Sequence, residues 1–323
     1  MDTYSSAFDS SRPAVAIVGA GAMGRALGLR LVESGYPVEM VISRSLSSAE
    51  ALAAKLGARA SDRLGDLPAV PLVLLTVPDD QIADLAETLV DAPRPWRGAV
   101  VLHTSGAQTA SALEPLRAEG ARTLSFHPLQ AVTRDADADT LAGVAVGIEG
   151  EEPGRAAGIE LAVGLGMRYL IVAADAKPRY HLAAAMASNL LVTLMGMVQE
   201  VLASIDVDRR QAMAILGPLV QGTLDNLSSG SVEEALTGPV ARGDLGTLRM
   251  HGLALRKHLP HLVPAYAALS VETVRLAVRA GTLSPSRAED VLTLMERMVT
   301  MPLPQATPTP DTPRPPAPSR ATA

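Results

Sequence analysis

VAIVGAGAMGRALGLRLVESGY, residues 15–36, reads as a β-branched apolar run, a glycine-spaced turn and an amphipathic helix. The spacing is Gly19-x-Gly21-x-x-Gly24. Gly19 suits the tight turn, Gly21 lets backbone approach a pyrophosphate, and Gly24 lets helix and strand pack closely. The diphosphate would sit on the helix N-terminus, where free N–H groups and the positive dipole end favour an anion. Gly19, Ala20, Gly21, Ala22, Met23 and Gly24 are therefore cofactor-binding candidates. A second strand follows, ending in Val41-Ile42-Ser43-Arg44-Ser45. An acid here would hold the ribose 2′-hydroxyl of NAD. None is present, and Ser43, Arg44 and Ser45 offer donors to a 2′-phosphate instead. NADP is expected ahead of NAD.

Outward from this motif, apolar runs continue to about Gly150 (VEMVIS, LVLLTV, AVVLHT, ARTLSF, GVAVGI) between helical segments, with one more around Met167–Val172. Continuous apolar strands alternating with helices predict an α/β, doubly wound, mostly parallel sheet covered on both faces. After Val172, long Ala/Leu/Met-rich helical patterns predict an all-α second domain. The expected division is a frayed start at 1–12, a dinucleotide-binding domain at 13–172, a helical substrate and dimerisation domain at 173–301, and a disordered Pro-rich tail at 302–323.

The composition narrows the function. The 323 residues are 48% hydrophobic, 19% charged and only 2% aromatic, with a net charge of −6. Neither a basic face for a phosphate backbone nor a base-stacking platform is expected, so no nucleic-acid partner is. The absence of cysteine removes disulfides, thiol catalysis and thiolate zinc sites, and no metal is expected. The start, MDTYSSAFDSSRP, has no signal-peptide pattern. The apolar stretch AAAMASNLLVTLMGMV is shorter than a span of about 18–20 residues and reads as a buried helix. A cytoplasmic protein without membrane contact is expected.

Ligands in open α/β sheets bind at the carboxyl ends of strands. Thr76, Val77 and Pro78 at one such end, and His103 and Ser105 at the next, are assigned to the cofactor, with Asp79 or Asp80 capping the following helix. His127, at a further strand end, is a substrate-binding candidate. In KPRYHLAAAMASN, Asp175 is the expected cap and Pro178 suits the first turn. Lys177, His181 and Ser188 share a helix face by their spacing, with Asn189 alongside. Lys177 and His181 are the catalytic candidates, the lysine lowering the imidazole's pKa by like-charge repulsion. Ser188 and Asn189 are substrate-binding candidates, and Tyr180 is a weaker donor. In TGPVARGD, Arg242 is a carboxylate clamp and Asp244 a helix cap. The small-residue side of the helix after Pro178, including Ala183, Ala184, Ala187 and Gly196, predicts a homodimer.

The glycine loop, VISRS, LLTVPDDQI, HTSGA, FHPLQ, KPRYHLAAAMASN and TGPVARGD together resemble bacterial Rossmann-like oxidoreductases with a helical C-terminal domain of unknown function. That group is similar to pyrroline-5-carboxylate reductase, ketopantoate reductase, 6-phosphogluconate dehydrogenase and deazaflavin-dependent NADP reductases. The resemblance covers about residues 13–300 and implies an NADP domain, a helical second domain and often a dimer. The 6-phosphogluconate-type lysine with an asparagine four residues on is absent, since Lys177 is followed there by His181. The expected function is NADP(H)-dependent hydride transfer to or from a small carboxylate-bearing carbonyl or imine. The alternatives are an NADP-binding regulatory or scaffold protein without turnover, and NADP:deazaflavin hydride transfer.

Overall fold

The computed structural model describes residues 12–300. The tail at 302–323 and all of the frayed start except Arg12 lie outside the described residues. Arg12 itself donates to the Tyr36 hydroxyl at 2.9 Å.

The chain forms two compact units, dividing between Leu191 and Val192. The first is built on eight strands: β1 (Val15–Val18), β2 (Val38–Ile42), β3 (Arg59–Ser61), β4 (Leu72–Leu75), β5 (Val100–His103), β6 (Arg122–Pro128), β7 (Ala145–Glu149) and β8 (Arg168–Ile171). Their order is β3-β2-β1-β4-β5-β6-β7-β8. Every neighbouring pair is parallel except β6 with β7. β1, β4 and β5 are buried along their whole length because side chains alternate between two covered faces. Leu72 and Leu74 join one core with helices α1 (Ala22–Glu33), α2 (Leu46–Leu56) and, further along the chain, Ala157 and Leu161. Val73 and Leu75 join the opposite core with α3 (Ile82–Val90) and α4 (Glu114–Ala118). α5 (Gly154–Gly164) carries Ala157 and Leu161.

The expected doubly wound sheet is thus present. Sequence reading missed β3, whose three residues Arg59-Ala60-Ser61 are too few and too polar to give a strand signal. It also expected no reversal at β7.

Beyond β8 the chain enters α6 (Lys177–Ala185), a single π turn (Met186–Leu190) and α7 (Leu191–Ala203). Pro178 sits in the first turn, as expected, but Asp175 is not the cap. The N-cap is Ala176 with no side-chain bond, and Asp175 lies exposed, 4.0 Å from Arg179. Ala174–Ala203 is a helix of 30 residues containing an 18-residue stretch of mean hydropathy 1.5, long and apolar enough to cross a membrane by length and composition. The expectation that its apolar stretch is buried is corrected: Leu182, Met186, Leu190 and Val192 are 58%, 56%, 55% and 71% exposed in this chain.

The second unit contains α8 (Arg209–Ser229), α9 (Val232–Ala235), α10 (Leu245–His258), α11 (Val263–Arg279) and α12 (Pro285–Thr300). Its core joins Leu248 to Val263, Ala267, Val274, Val291 and Met295. Asp244 caps α10, accepting from the Thr247 N–H at 3.1 Å.

Candidate active site

At the end of β1 the chain turns through Gly19, whose φ of 116° belongs to the region L side chains avoid. The Thr76 hydroxyl, at the end of β4, donates to the Gly19 carbonyl at 2.7 Å. A Cβ on Gly24 would collide with that carbonyl and lie 2.6 Å from the Thr76 hydroxyl oxygen. Gly19, Gly24 and Thr76 therefore lock one tight turn, and Thr76, assigned above to the cofactor, acts by holding the loop. Gly21 is different. It is the N-cap of α1, no side chain caps that end, and a Cβ there would meet nothing within 4 Å. Uncapped amides beside open space suit a phosphate. Ala20, Gly21 and Ala22 line a cavity of about 460 Å³ together with Ser43. Met23 is half-buried against the core.

The end of β2 divides its work differently from the sequence reading. The Ser45 hydroxyl accepts from the Ser48 N–H at 3.3 Å and so caps α2. Arg44 is exposed. Ser48, Arg25, Lys55 and Arg134 line the cavity instead, residues the motif reading overlooked because the last two are remote in sequence.

At β4, Val77 is half-buried and Pro78 exposed. Neither Asp79 nor Asp80 caps α3, which follows a short 3-10 turn with Gln81 as an N-cap lacking any side-chain bond. Asp79 instead accepts from the Ser105 hydroxyl at 2.7 Å. Ser105 also receives the N–H groups of Ala107 and Gln108, at 3.2 and 3.0 Å, and is 3% exposed. Its side chain shapes the loop after β5 and is not open to a cofactor. His103 is corrected in the same way. It is fully buried, Nδ1 accepts from the Ser105 N–H at 3.2 Å, and Nε2 donates to the Thr109 carbonyl at 3.0 Å. Burial first, and the Lys177 charge, pull its pKa down to about 4, so the ring is neutral at pH 7.

Lys177 is 1% exposed. It donates to the Ser105 carbonyl at 3.1 Å and to the Ser125 hydroxyl, tying the start of α6 to the loop after β5 and to the middle of β6. The expectation that it meets substrate is corrected, because its ammonium is enclosed and engaged. Burial lowers its pKa to about 8, opposed by Glu149 and Asp79. Its like-charge field reaches His103 and His127.

This shift has a measurable sign. A lysine with a folded pKa near 8 and an unfolded value near 10.4 binds fewer protons in the folded state between those values, so stability rises with pH through that window. Denaturant unfolding of Lys177→Met is expected to lack this rise between about pH 8 and 10. An unchanged slope would refute the buried charge.

The side chains that converge are His127, Tyr180 and His181. The Tyr180 hydroxyl lies 2.9 Å from His127 Nδ1 and donates to the His127 carbonyl at 3.3 Å, and burial pushes its pKa up to about 12, so it stays protonated. His127, half-buried and beside Lys177, has its pKa lowered to about 4, by desolvation first and then by the Lys177 charge, and is neutral at pH 7. The His127 and His181 rings meet edge to face with centroids 5.8 Å apart. Gly106 lies between them: a Cβ there would collide with His181 Nδ1 and lie 2.8 Å from Cε1 and Nε2 of His127. His181 Nδ1 is buried and has no hydrogen-bond partner among the described residues. Ser188 is half-buried and Asn189 exposed on the π turn. That turn inserts an extra residue after His181, so the seven-residue step no longer fixes Ser188 on the face that Lys177 and His181 share. Arg242 lies in the second unit, exposed on the loop before α10. Among the described residues no His/Asp/Glu group could hold a metal.

Fold and site together define a doubly wound α/β sheet followed by a helical unit. Residues 1–128 match the family model of a Rossmann-like domain, and residues 144–273 match that of a domain of unknown function, DUF2520. None of the curated proteins matches the chain. Among solved structures, a proposed NADP oxidoreductase from Bacteroides fragilis is 22% identical with a TM-score of 0.69, covering 81% of this chain and 98% of that one. A reductive aminase from Aspergillus terreus, in complex with NADPH and ethyl-5-oxohexanoate, is 19% identical with a TM-score of 0.55, covering 90% and 94%. A pyrroline-5-carboxylate reductase from Coxiella burnetii is 16% identical with a TM-score of 0.54, covering 88% and 99%. These likenesses establish the shared fold.

Proposed function

We propose that the protein is an NADP(H)-dependent oxidoreductase that moves a hydride to or from a small carbonyl or imine. The observation carrying this reading is the unpartnered, buried Nδ1 of His181 at the strand-end side of a sheet whose β1 end presents an uncapped glycine loop. The bound nicotinamide would supply or accept the hydride. The chain's own work is the proton. In the reducing direction the carbon gains hydride while the oxygen or nitrogen gains a proton, and the His181 imidazole is the proposed group exchanging it. His127, oriented by Tyr180, holds the facing side of the pocket. Lys177 positions both by clamping the loop after β5 against strand β6. The names of the fold relatives, an NADPH-bound reductive aminase and a pyrroline-5-carboxylate reductase, agree with C=N chemistry. The test is NADPH oxidation, followed by absorbance, with keto acids, carbonyls plus amines, cyclic imines and a deazaflavin. Turnover of a carbonyl or imine is expected. NADPH that binds without oxidation by any member would reject the reading in favour of a binding protein, and reduction of deazaflavin alone would replace the substrate class.

We also propose a homodimer in the cytoplasm. The helix after Lys177 exposes apolar side chains, and Ile205, Ile215 and Leu219 are themselves 66%, 56% and 67% exposed, more than a lone chain ordinarily leaves in water. Light scattering is expected to give twice the chain mass of 33.5 kDa from the soluble fraction. A monomer, or a protein recovered only in detergent, would overturn this.

A further inference from the structure

We propose that the 2′-phosphate of the cofactor is read by three cations from three separate segments, Arg25, Lys55 and Arg134, which with Ser43 and Ser48 line the cavity beside Gly21. This rests on the NADP reading above and adds residues outside the glycine motif and the β2 end. Arg25 belongs to the first turn of α1, Lys55 to the last turn of α2, and Arg134 to the segment between β6 and β7. Each has an ordinary explanation alone. Lys55 complements the C-terminal dipole of α2, and Arg134 is an exposed charge.

Their convergence is what demands more. The lining residues include no carboxylate, in a chain where 34 acids outnumber 28 Lys and Arg. Three like charges around one cavity repel each other until an anion enters. The cluster is also braced: Arg25 Nε donates to the Ala136 carbonyl at 2.8 Å, and Ala136 is 5% exposed within the core, two residues from Arg134. That bond uses one of the five guanidinium N–H groups and fixes the β6–β7 segment beside α1. The Ser43 hydroxyl adds a neutral donor, while the Ser48 hydroxyl donates to Ser45 Oγ at 3.0 Å. A phosphomonoester dianion matches this set in charge and in acceptor oxygens. The uncapped amides of α1 remain for the pyrophosphate, so the two phosphate groups have separate partners.

The test uses full-length protein, with calorimetric titration of NADP, NAD, 2′,5′-ADP and inorganic phosphate. Lys55→Ala and Arg134→Ala remove exposed side chains and are expected to leave thermal unfolding unchanged. Each is expected to weaken NADP and 2′,5′-ADP about 10-fold or more, the double variant about 100-fold, and NAD less than about twofold. An NADP-to-NAD affinity ratio unchanged in the double variant overturns the assignment. So does an equal loss for both dinucleotides, which would put the cations on the pyrophosphate. Inorganic phosphate competing as well as 2′,5′-ADP would reduce the cluster to a general anion site. Unaltered protein that binds neither dinucleotide would sink the cofactor reading itself, a different failure from tight NADP binding that ignores these cations.

Discussion

Replacing His181 by glutamine is expected to cut turnover by about 10²–10⁴-fold while leaving NADP affinity within about twofold. His181 Nδ1 is buried without a partner beside His127, so its substitution removes a group held ready for a reacting atom and no fold-forming bond at that nitrogen. Glutamine retains a hydrogen-bonding amide but cannot exchange a proton near neutral pH. A companion variant separates geometry from chemistry. In Gly106→Ala the new methyl would press on both imidazoles, and a turnover loss of similar size is expected with cofactor binding intact. Full activity of His181→Gln on an identified substrate would refute the proton-transfer role. So would a loss explained entirely by unfolding, read by circular dichroism, with Gly106→Ala fully active.

Gly21→Val is expected to abolish NADP binding, by about 100-fold or more, in a protein that folds. Gly21 has φ −76° and ψ −172°, which valine adopts readily, and its Cβ position is empty to 4 Å. The branched side chain then occupies the space assigned to the pyrophosphate. The cost to the fold should be about 1 kcal/mol or less, valine being a poor N-cap. Gly24→Val should behave oppositely on stability, since its Cβ meets the Gly19 carbonyl and the Thr76 hydroxyl. Calorimetric titration with thermal unfolding reads both. Undiminished NADP affinity in Gly21→Val would remove the cofactor from this loop.

The sheet was legible because both of its faces are covered. Val15–Val18, Leu72–Leu75 and Val100–His103 are read as strands from their continuous apolar runs, and the glycine spacing placed the first turn. What sequence could not supply was direction and distance. His103 and His127 look alike as strand-end histidines, yet one has both nitrogens satisfied by its own loop and the other faces a second imidazole. Lys177 and His181 share a spacing, but depth separates them: one is enclosed by Ser105 and Ser125, and the other keeps a free nitrogen. Arg134 joins Arg25 only because the β6–β7 segment folds back onto α1, a tertiary fact with no local signature. The burial expected for the apolar helix failed for a similar reason. Hydropathy reports what a segment avoids, and the chain alone does not supply its cover.

The bond from Lys177 to the Ser105 carbonyl spans 72 residues of chain and sits in the same compact unit as the glycine loop. His127, on β6, and His181, on the helix that Lys177 ties to the sheet, thus belong to the same unit as the loop that would hold the cofactor. A catalyst so arranged has its dipoles and proton-bearing atoms aligned before anything binds, and little orientational freedom is left to lose as the transition state forms. Selectivity among carbonyls and imines would then follow from which molecules can bring their reacting atom to a stationary imidazole, favouring compact, adaptable substrates over rigid ones that need the site to yield.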